Sequence, residues 1–447
     1  MADPDVPDSK VLERAVISKM MARLIPFLAI LYVFCLLDRG NVSIAALTMQ
    51  KDLDFSDRVY GLGAGIFFIG YFIFEVPSNL IMERVGARLW IARIMITWGL
   101  ISAGMMFVKT PVSFYSMRFL LGLAEAGFYP GVLLYLTYWV PASLRAQVIA
   151  RFLALSAILG LFGGPLGGVL LKLNGWHGLA GWQWLFLLEG IPSVLLSAAV
   201  LKFLPDTPNH ATWLTQDEKK WLSDRLEHDA ATQPRMNHMS WKVAITDPRI
   251  VYLCLIFIIN STAGNAIGFF GPQLVKIRSG GAWSDSFIST ILTIPAIVGA
   301  AAMSLASYHS DRTGQRRGHV VIGYAIAGLG FLICIFMPNA IGVILALSIT
   351  ALGERIAAGS YWAVTTNLMG AGAAAGGLAF INSVGNLGGF IGPTLMGELK
   401  NRSGGAFAPG LYTAAGLMLC SSLLALMTLK RFAAKKEAEA PFPKPLP

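Results

Sequence analysis

Residues 83–88 read Glu83-Arg84-Val85-Gly86-Ala87-Arg88, and residues 311–317 read Asp311-Arg312-Thr313-Gly314-Gln315-Arg316-Arg317. Acid, arginine, glycine and arginine recur at the same relative positions, 228 residues further along. One such loop arises easily by chance. Two, each after an apolar run at the corresponding place in its half of the chain, mark an internal repeat. The charges of each loop, Glu83, Arg84 and Arg88 in the first and Asp311, Arg312 and Arg316 in the second, can bridge to neighbouring helix ends. Such bridges would hold one closed conformation, a gating role.

The sequence around the loops says what is repeated. Of 447 residues, 55% are hydrophobic and 13% charged, with a mean hydropathy of +0.61. Soluble domains carry roughly 25% charged residues, so this chain cannot enclose its apolar residues in a polar coat. A soluble enzyme, a disordered protein and a nucleic-acid binder are excluded, and a polytopic membrane protein remains. Crossing about 30 Å of hydrocarbon takes about 20 mostly apolar residues. Twelve candidate spans are read at 24–47, 59–80, 89–108, 112–138, 149–171, 184–204, 250–275, 286–307, 319–338, 340–364, 374–397 and 409–429. The expected fold is an all-α membrane protein, with twelve transmembrane helices in two pseudo-symmetric six-helix bundles.

The expected organisation is a cytosolic N-terminal tail (1–23), a first bundle (24–204), a cytosolic linker (205–249), a second bundle (250–430) and a cytosolic C-terminal tail (431–447). The opening residues MADPDVPDSKVLERAVISKMMAR lack the apolar core of a signal peptide. In the linker, Thr215 and Glu218 form a capping-box pattern, and Trp221, Leu222 and Arg225 continue a short amphipathic helix. Its charges read as a solvated face. With both termini in the cytosol, eight of the 35 Lys and Arg fall in external connections and three within spans, and the remaining 24 lie on the cytosolic side. That bias follows the positive-inside rule, so the net charge of +10 speaks for membrane topology and not for nucleic acid. Cys35, Cys254, Cys334 and Cys420 each lie within an apolar run, far apart. They form no disulfide framework or metal spacing and are expected to be reduced and buried.

Ionisable residues near mid-membrane cost from ~2.5 to more than 10 kcal/mol each. Asp38 and Arg39 are adjacent in the first span, and Arg118 and Glu125 are seven apart in the fourth. Seven steps of about 100° return a helix to nearly the same face, and Gly122 and Tyr129 extend that stripe. Static pairing, of Asp38 with Arg118 or Arg39 with Glu125, is one reading. A buried structural pair is no more stable than packed apolar side chains, so the retained charges point to function. An anion in a low-dielectric cavity needs a fixed cation, and an arginine fork fits a carboxylate. Arg39 is the expected substrate-carboxylate ligand. Desolvation between helices favours a protonated carboxyl, which makes Asp38 and Glu125 the expected proton carriers. Ionised Asp38 would hold Arg39 and repel an anion, and protonated Asp38 would free Arg39. Arg118 would pair with an acid in one conformation and release it in another.

Further pocket candidates are Tyr71, Asn265, Phe269, Gln273, Tyr361 and Trp362, with Asn382 and Asn386 four apart on one helix face. Glu354 and Arg355 form either a self-neutralising pair or, through Arg355, a second cation for a substrate's far end. Glu75 and Glu189 read as hydrogen-bonding groups near helix breaks at Pro77 and Pro192. Glycine-rich stretches in spans five and eleven (Gly160 to Gly168 and Gly385 to Gly392) would allow close helix approach.

The paired loops resemble the signature of the major facilitator superfamily, with Asn79 and Ser307 where that pattern usually opens with glycine. LLDRGNVSIA (37–46), GYFIFEVPSNLIMERVGARLW (70–90), RFLLGLAEAGFYPG (118–131), WLFLLEGIPS (184–193) and INSVGNLGGFIGP (381–393) resemble its anion:cation symporter family. The similarity runs from about residue 20 to 430. The resemblance implies the major facilitator fold and import of a small organic carboxylate with protons. Candidate substrates are a sugar acid, a tartrate-like hydroxy acid or an aromatic acid. In the family's galactonate transporters the acids matching Asp38 and Glu125 are protonation sites, and the arginine matching Arg39 contacts substrate. A proton-coupled exporter of metabolites or drugs, or a non-transporting nutrient sensor, is the alternative. No metal, Ser/His or phosphate-loop motif appears, so no enzyme is expected. The expected partners are the organic anion, protons as coupling ion, and lipid. No cofactor and no nucleic acid is expected. The expected state is a monomer in the bacterial inner membrane.

Overall fold

The computed structural model describes residues 9–232, 246–369 and 374–439, and every regular element described is helical. Residues 9–54 with 66–232 form one compact unit, and residues 55–65 with 246–439 form the other.

The first unit holds α1 (Ser9–Asp52), most of α2 (Asp57–Val85), α3 (Ala87–Gly104), α4 (Pro111–Glu125), α5 (Phe128–Thr137), α6 (Arg145–Gly160), α7 (Gly163–Leu171), α8 (Gly181–Phe203) and the linker helix α9 (Gln216–Thr232). Helix α1 begins well before the expected span, because Val16 and Met20 in the tail are buried and continue its apolar face. Pro77 and Pro192 lie inside continuous helices, which corrects the expected breaks. The fourth span does break. Glu125 ends α4, Gly127 takes a left-handed φ of 87°, and α5 begins at Phe128. Only glycine adopts that conformation cheaply.

The capping box of α9 is formed: the Thr215 N–H donates to Glu218 Oε2 at 2.9 Å and the Glu218 N–H to Thr215 Oγ1 at 3.3 Å. The helix is less solvated than its charges suggest. Leu222 is buried, and Lys19 of α1 donates to both Glu218 oxygens at 2.7 and 2.8 Å. Burial opposes ionisation of Glu218, but the bonds from Lys19 and the Thr215 backbone outweigh it and hold this carboxyl below its ordinary range.

The second unit holds α10 (Pro248–Arg278), α11 (Asp285–Ile291), α12 (Thr293–Thr313), α13 (Arg316–Phe336), α14 (Ala340–Met369), α15 (Ala374–Asn386), α16 (Gly388–Arg402) and α17 (Ala408–Glu439). Glycines set its closest approaches. A Cβ added to Gly388 would lie 2.7 Å from the Ile258 carbonyl oxygen of α10, and one at Gly323 of α13 2.7 Å from the Gly353 carbonyl of α14. The unit also contains the opening turns of α2. Lys400, nearly fully buried, donates to Asp57 Oδ1 at 2.7 Å and Gln273 Oε1 at 3.1 Å, while the Tyr60 hydroxyl donates to the Phe269 carbonyl at 2.8 Å.

Among the described residues, eleven helices are long and apolar enough to cross a membrane. The remaining expected span, the eleventh at 374–397, is met by α15 and α16, which are interrupted at Leu387. The outward faces carry Leu100, Leu195, Leu305, Phe336 and Met427, all exposed. In a bilayer such surfaces need no polar cover. Cys35, Cys254 and Cys334 are buried as expected, but Cys420 is exposed on α17.

Both repeat loops turn at their glycine: φ is 95° at Gly86 and 70° at Gly314. That requirement explains why glycine recurs at the same offset. In the first loop Arg88 pairs with Asp206 at 3.5 Å, and Asp206 also accepts the Arg88 backbone N–H at 3.0 Å. In the second, Asp311 pairs with Arg316 at 3.8 Å and Arg312 donates to the Tyr308 hydroxyl at 3.1 Å. Glu83 and Arg84 are exposed. Where the superfamily pattern opens with glycine, the facing helix supplies one instead: Gly131 faces Asn79 and Gly359 faces Ser307.

Candidate functional site

The first unit gathers four of the predicted residues around one ring. Arg39 on α1 ion-pairs with Glu125 at the end of α4, and Glu125 is completely buried. The Arg39 guanidinium lies 4.6 Å from the Tyr71 ring centroid and 5.6 Å from that of Phe67. Arg118, also fully buried, lies 5.0 Å from the same Phe67 ring. Two guanidiniums therefore flank Phe67, and α2 supplies both rings. A cation over an aromatic face gains electrostatically from the ring, more so out of water. Cys35, one turn before Arg39, donates its thiol to Glu125 Oε1 at 3.1 Å. Tyr32 stacks on Tyr129 at 5.2 Å.

The cluster is incompletely satisfied. Glu125 Oε2 and Arg39 Nη2 are buried with no hydrogen-bond partner. A native structure seldom leaves a buried charged group half-bonded unless something else completes it. One open donor and one open acceptor, side by side among aromatic faces, can receive an oxyanion or a proton.

Asp38 is not part of this cluster, contrary to the expectation that it holds Arg39. Its Oδ1 accepts from Asn41 at 3.3 Å and from the Ser102 hydroxyl, and its Oδ2 from Trp98 Nε1 at 2.9 Å and Ser193 at 3.4 Å. It is fully buried between α1, α3 and α8 with neutral partners. Adjacent residues on a helix point about 100° apart, so Asp38 and Arg39 serve different neighbours. Of the two static pairs considered, Arg39 with Glu125 forms, and the described ion pairs include none between Asp38 and Arg118. The stripe of Arg118, Gly122 and Glu125 stays within α4, whereas Tyr129 lies beyond the break.

In the second unit, Asn265 donates to the Ser261 carbonyl at 2.8 Å and is half-buried. Asn382 and Asn386 are half-buried on α15, Asn386 at its last residue. The Tyr361 hydroxyl donates to the Leu253 carbonyl at 2.7 Å, and Phe257 packs on Tyr361 and Trp362. Tyr361, Phe269 and Gln273 are thus engaged in packing. Glu354 and Arg355 form no ion pair among the described residues. Glu354 Oε1 is buried without a partner near Gly264, and Arg355 is exposed beside Gly299.

Sequence reading missed Cys35, Phe67, Trp98, Ser102 and Ser193. Asn41, one turn after Asp38 in an apolar span, carried a usable signal: a polar amide in hydrocarbon needs a partner.

Buried charge inside two helical units, with a charged turn repeated between corresponding helices, describes a polytopic solute carrier. The Major Facilitator Superfamily model matches residues 28–393 and 253–446, and the chain belongs to that superfamily. It is a multi-pass membrane transporter and not an enzyme. The chain is 44% identical over 416 residues to a protein of Agrobacterium vitis named "Putative tartrate transporter", covering 93% of this chain and 95% of that one. It is 37% identical over 434 residues to the "Quinolone resistance transporter" of Acinetobacter baumannii, covering 97% and 99%. Among solved structures, a bacterial homolog of the human lysosomal transporter Spinster, inward-facing and occupied, aligns with a TM-score of 0.73 at 16% identity, covering 93% and 96%. The fold expected from the sequence is the fold found.

Proposed function

We propose that this transporter imports a small organic carboxylate together with protons by alternating access, as a monomer in the bacterial inner membrane with both termini cytosolic. The observation that supports this best is the buried Arg39–Glu125 pair with one open donor and one open acceptor. A substrate carboxylate and Glu125 compete for the same guanidinium. When Glu125 takes a proton, Arg39 is released to bind the anion, so proton and anion load together. This replaces Asp38 with Glu125 as the group that holds Arg39. Arg118 and Tyr71 complete this surface of the first unit, and Asn265, Asn382, Asn386 and Arg355 are substrate-binding candidates of the second unit taken by itself. The tartrate named in the Agrobacterium relative favours a hydroxy acid. If two protons accompany a monoanion, membrane voltage adds about 2.3 kcal/mol per 100 mV.

A proton-coupled exporter is the second reading, with a "Quinolone resistance transporter" among the relatives. Reconstituted liposomes separate the two. Labelled tartrate, galactonate and an aromatic acid are offered with the outside acidic, matched or alkaline. Accumulation only with the outside acidic, collapsing with a protonophore, supports the proposal. Filling indifferent to the gradient for every acid would falsify it.

A further inference from the structure

A second acid stands behind Asp38. Asn41, which donates to Asp38 Oδ1, keeps its own Oδ1 buried without a hydrogen-bond partner, and Glu189 stands one turn before Ser193 of α8, which donates to Asp38 Oδ2 at 3.4 Å. Glu189 is 2% exposed, and its Oε2 has no hydrogen-bond partner. Helices α3 and α8 press together here: a Cβ added to Gly190 would lie 2.6 Å from the Ala103 backbone nitrogen. The groups facing the two acids are Trp98 and Ser102 from α3, Ser193 from α8 and Asn41 from α1, all neutral. The nearest charges, Arg39 and Glu125, are paired with each other, with the Cys35 thiol bonded to Glu125. Neither Asp38 nor Glu189 takes part in a described ion pair.

Two carboxyls buried at one helix contact, among neutral groups and without a counter-cation, do not both carry charge. We propose that Asp38 and Glu189, both buried at the α1–α8 contact that Ser193 marks, hold one proton between them and exchange it as a single unit. Glu189 is then a positioning residue that sets the acidity at which Asp38 loads. The inference rests on the proton-symport reading and extends it to α8.

Coupled acids titrate as a pair, so removing one changes the other. Uptake is measured in liposomes against external pH for wild type and Glu189→Gln, with substrate counterflow as the control for folding. The amide variant should keep counterflow and shift the pH of half-maximal uptake to the acid side by about one unit, a tenfold change in proton concentration. A superimposable pH profile overturns the proposal. Infrared titration of protonated carboxyls needs no transport and reads Asp38→Asn, in which Glu189 remains. A Glu189 band whose midpoint falls by about one unit relative to wild type supports the pair, and an unmoved midpoint overturns it, even if Glu189→Gln does not fold. Wild-type uptake blind to the pH gradient would instead defeat the symport reading, leaving the infrared result to judge the pair.

Discussion

At the scale of single residues, the site is decided by which neighbour each charge meets. The charges themselves were readable, because Asp38, Arg39, Arg118 and Glu125 interrupt apolar runs that otherwise exclude them. Their partners were not. Sequence adjacency put Asp38 and Arg39 together, but the rotation of α1 against α3, α4 and α8 sends them to different networks, and that rotation is set by packing. Arg39 needs its fork as well as its charge, since it meets Glu125 and the Tyr71 ring together. Arg39→Lys keeps the charge but loses planar pairing and stacking. Counterflow should show a half-saturating substrate concentration raised at least about tenfold, or about 1.4 kcal/mol. Glu125→Gln should retain counterflow and lose acid-driven accumulation. Full accumulation by that variant would remove Glu125 from coupling.

At the scale of elements, hydropathy gave the spans but not their interruptions. The run from Pro111 to Thr137 is apolar on average, and nothing in that average marks the turn at Gly127. The break is local stereochemistry: α4 ends at Glu125, and Gly127, two positions on, is left-handed. Gly127→Ala should cost about 1–2 kcal/mol from the backbone alone, with more from its close approach to the Ser78 side chain. Thermal unfolding in detergent would show this as a lowered midpoint. The linker helix offers a pH test. Glu218 is held below the unfolded carboxyl value of about 4.3, so its contribution is complete above that pH and fades as pH falls through the lower folded value. Lys19→Met should lower the unfolding midpoint at pH 7, and the gap from wild type should close below about pH 4. A gap that persists in acid would mean that Lys19 acts through packing.

At the scale of the whole molecule, the repeat of the two charged turns was enough to anticipate a chain built in two parts, because a glycine held at φ 95° or 70° tolerates no ordinary replacement. What pattern could not foresee is where the parts divide. Helix α2 changes ownership along its length: its first turns, 55–65, are seated in the later unit by Lys400, Gln273 and Phe269. A gene cut within the expected linker, between residues 232 and 246, would therefore not yield two self-sufficient modules. The C-terminal fragment would lack its borrowed strip and strand a lysine in the interior without its carboxylate, and one partner removed from a buried pair costs about 3–5 kcal/mol. Produced by itself, that fragment should be rapidly degraded, and co-production of the N-terminal piece should rescue it. A graft restoring only residues 55–65 should recover part of the loss, which makes this short stretch an obligatory loan from one half of the gene to the other.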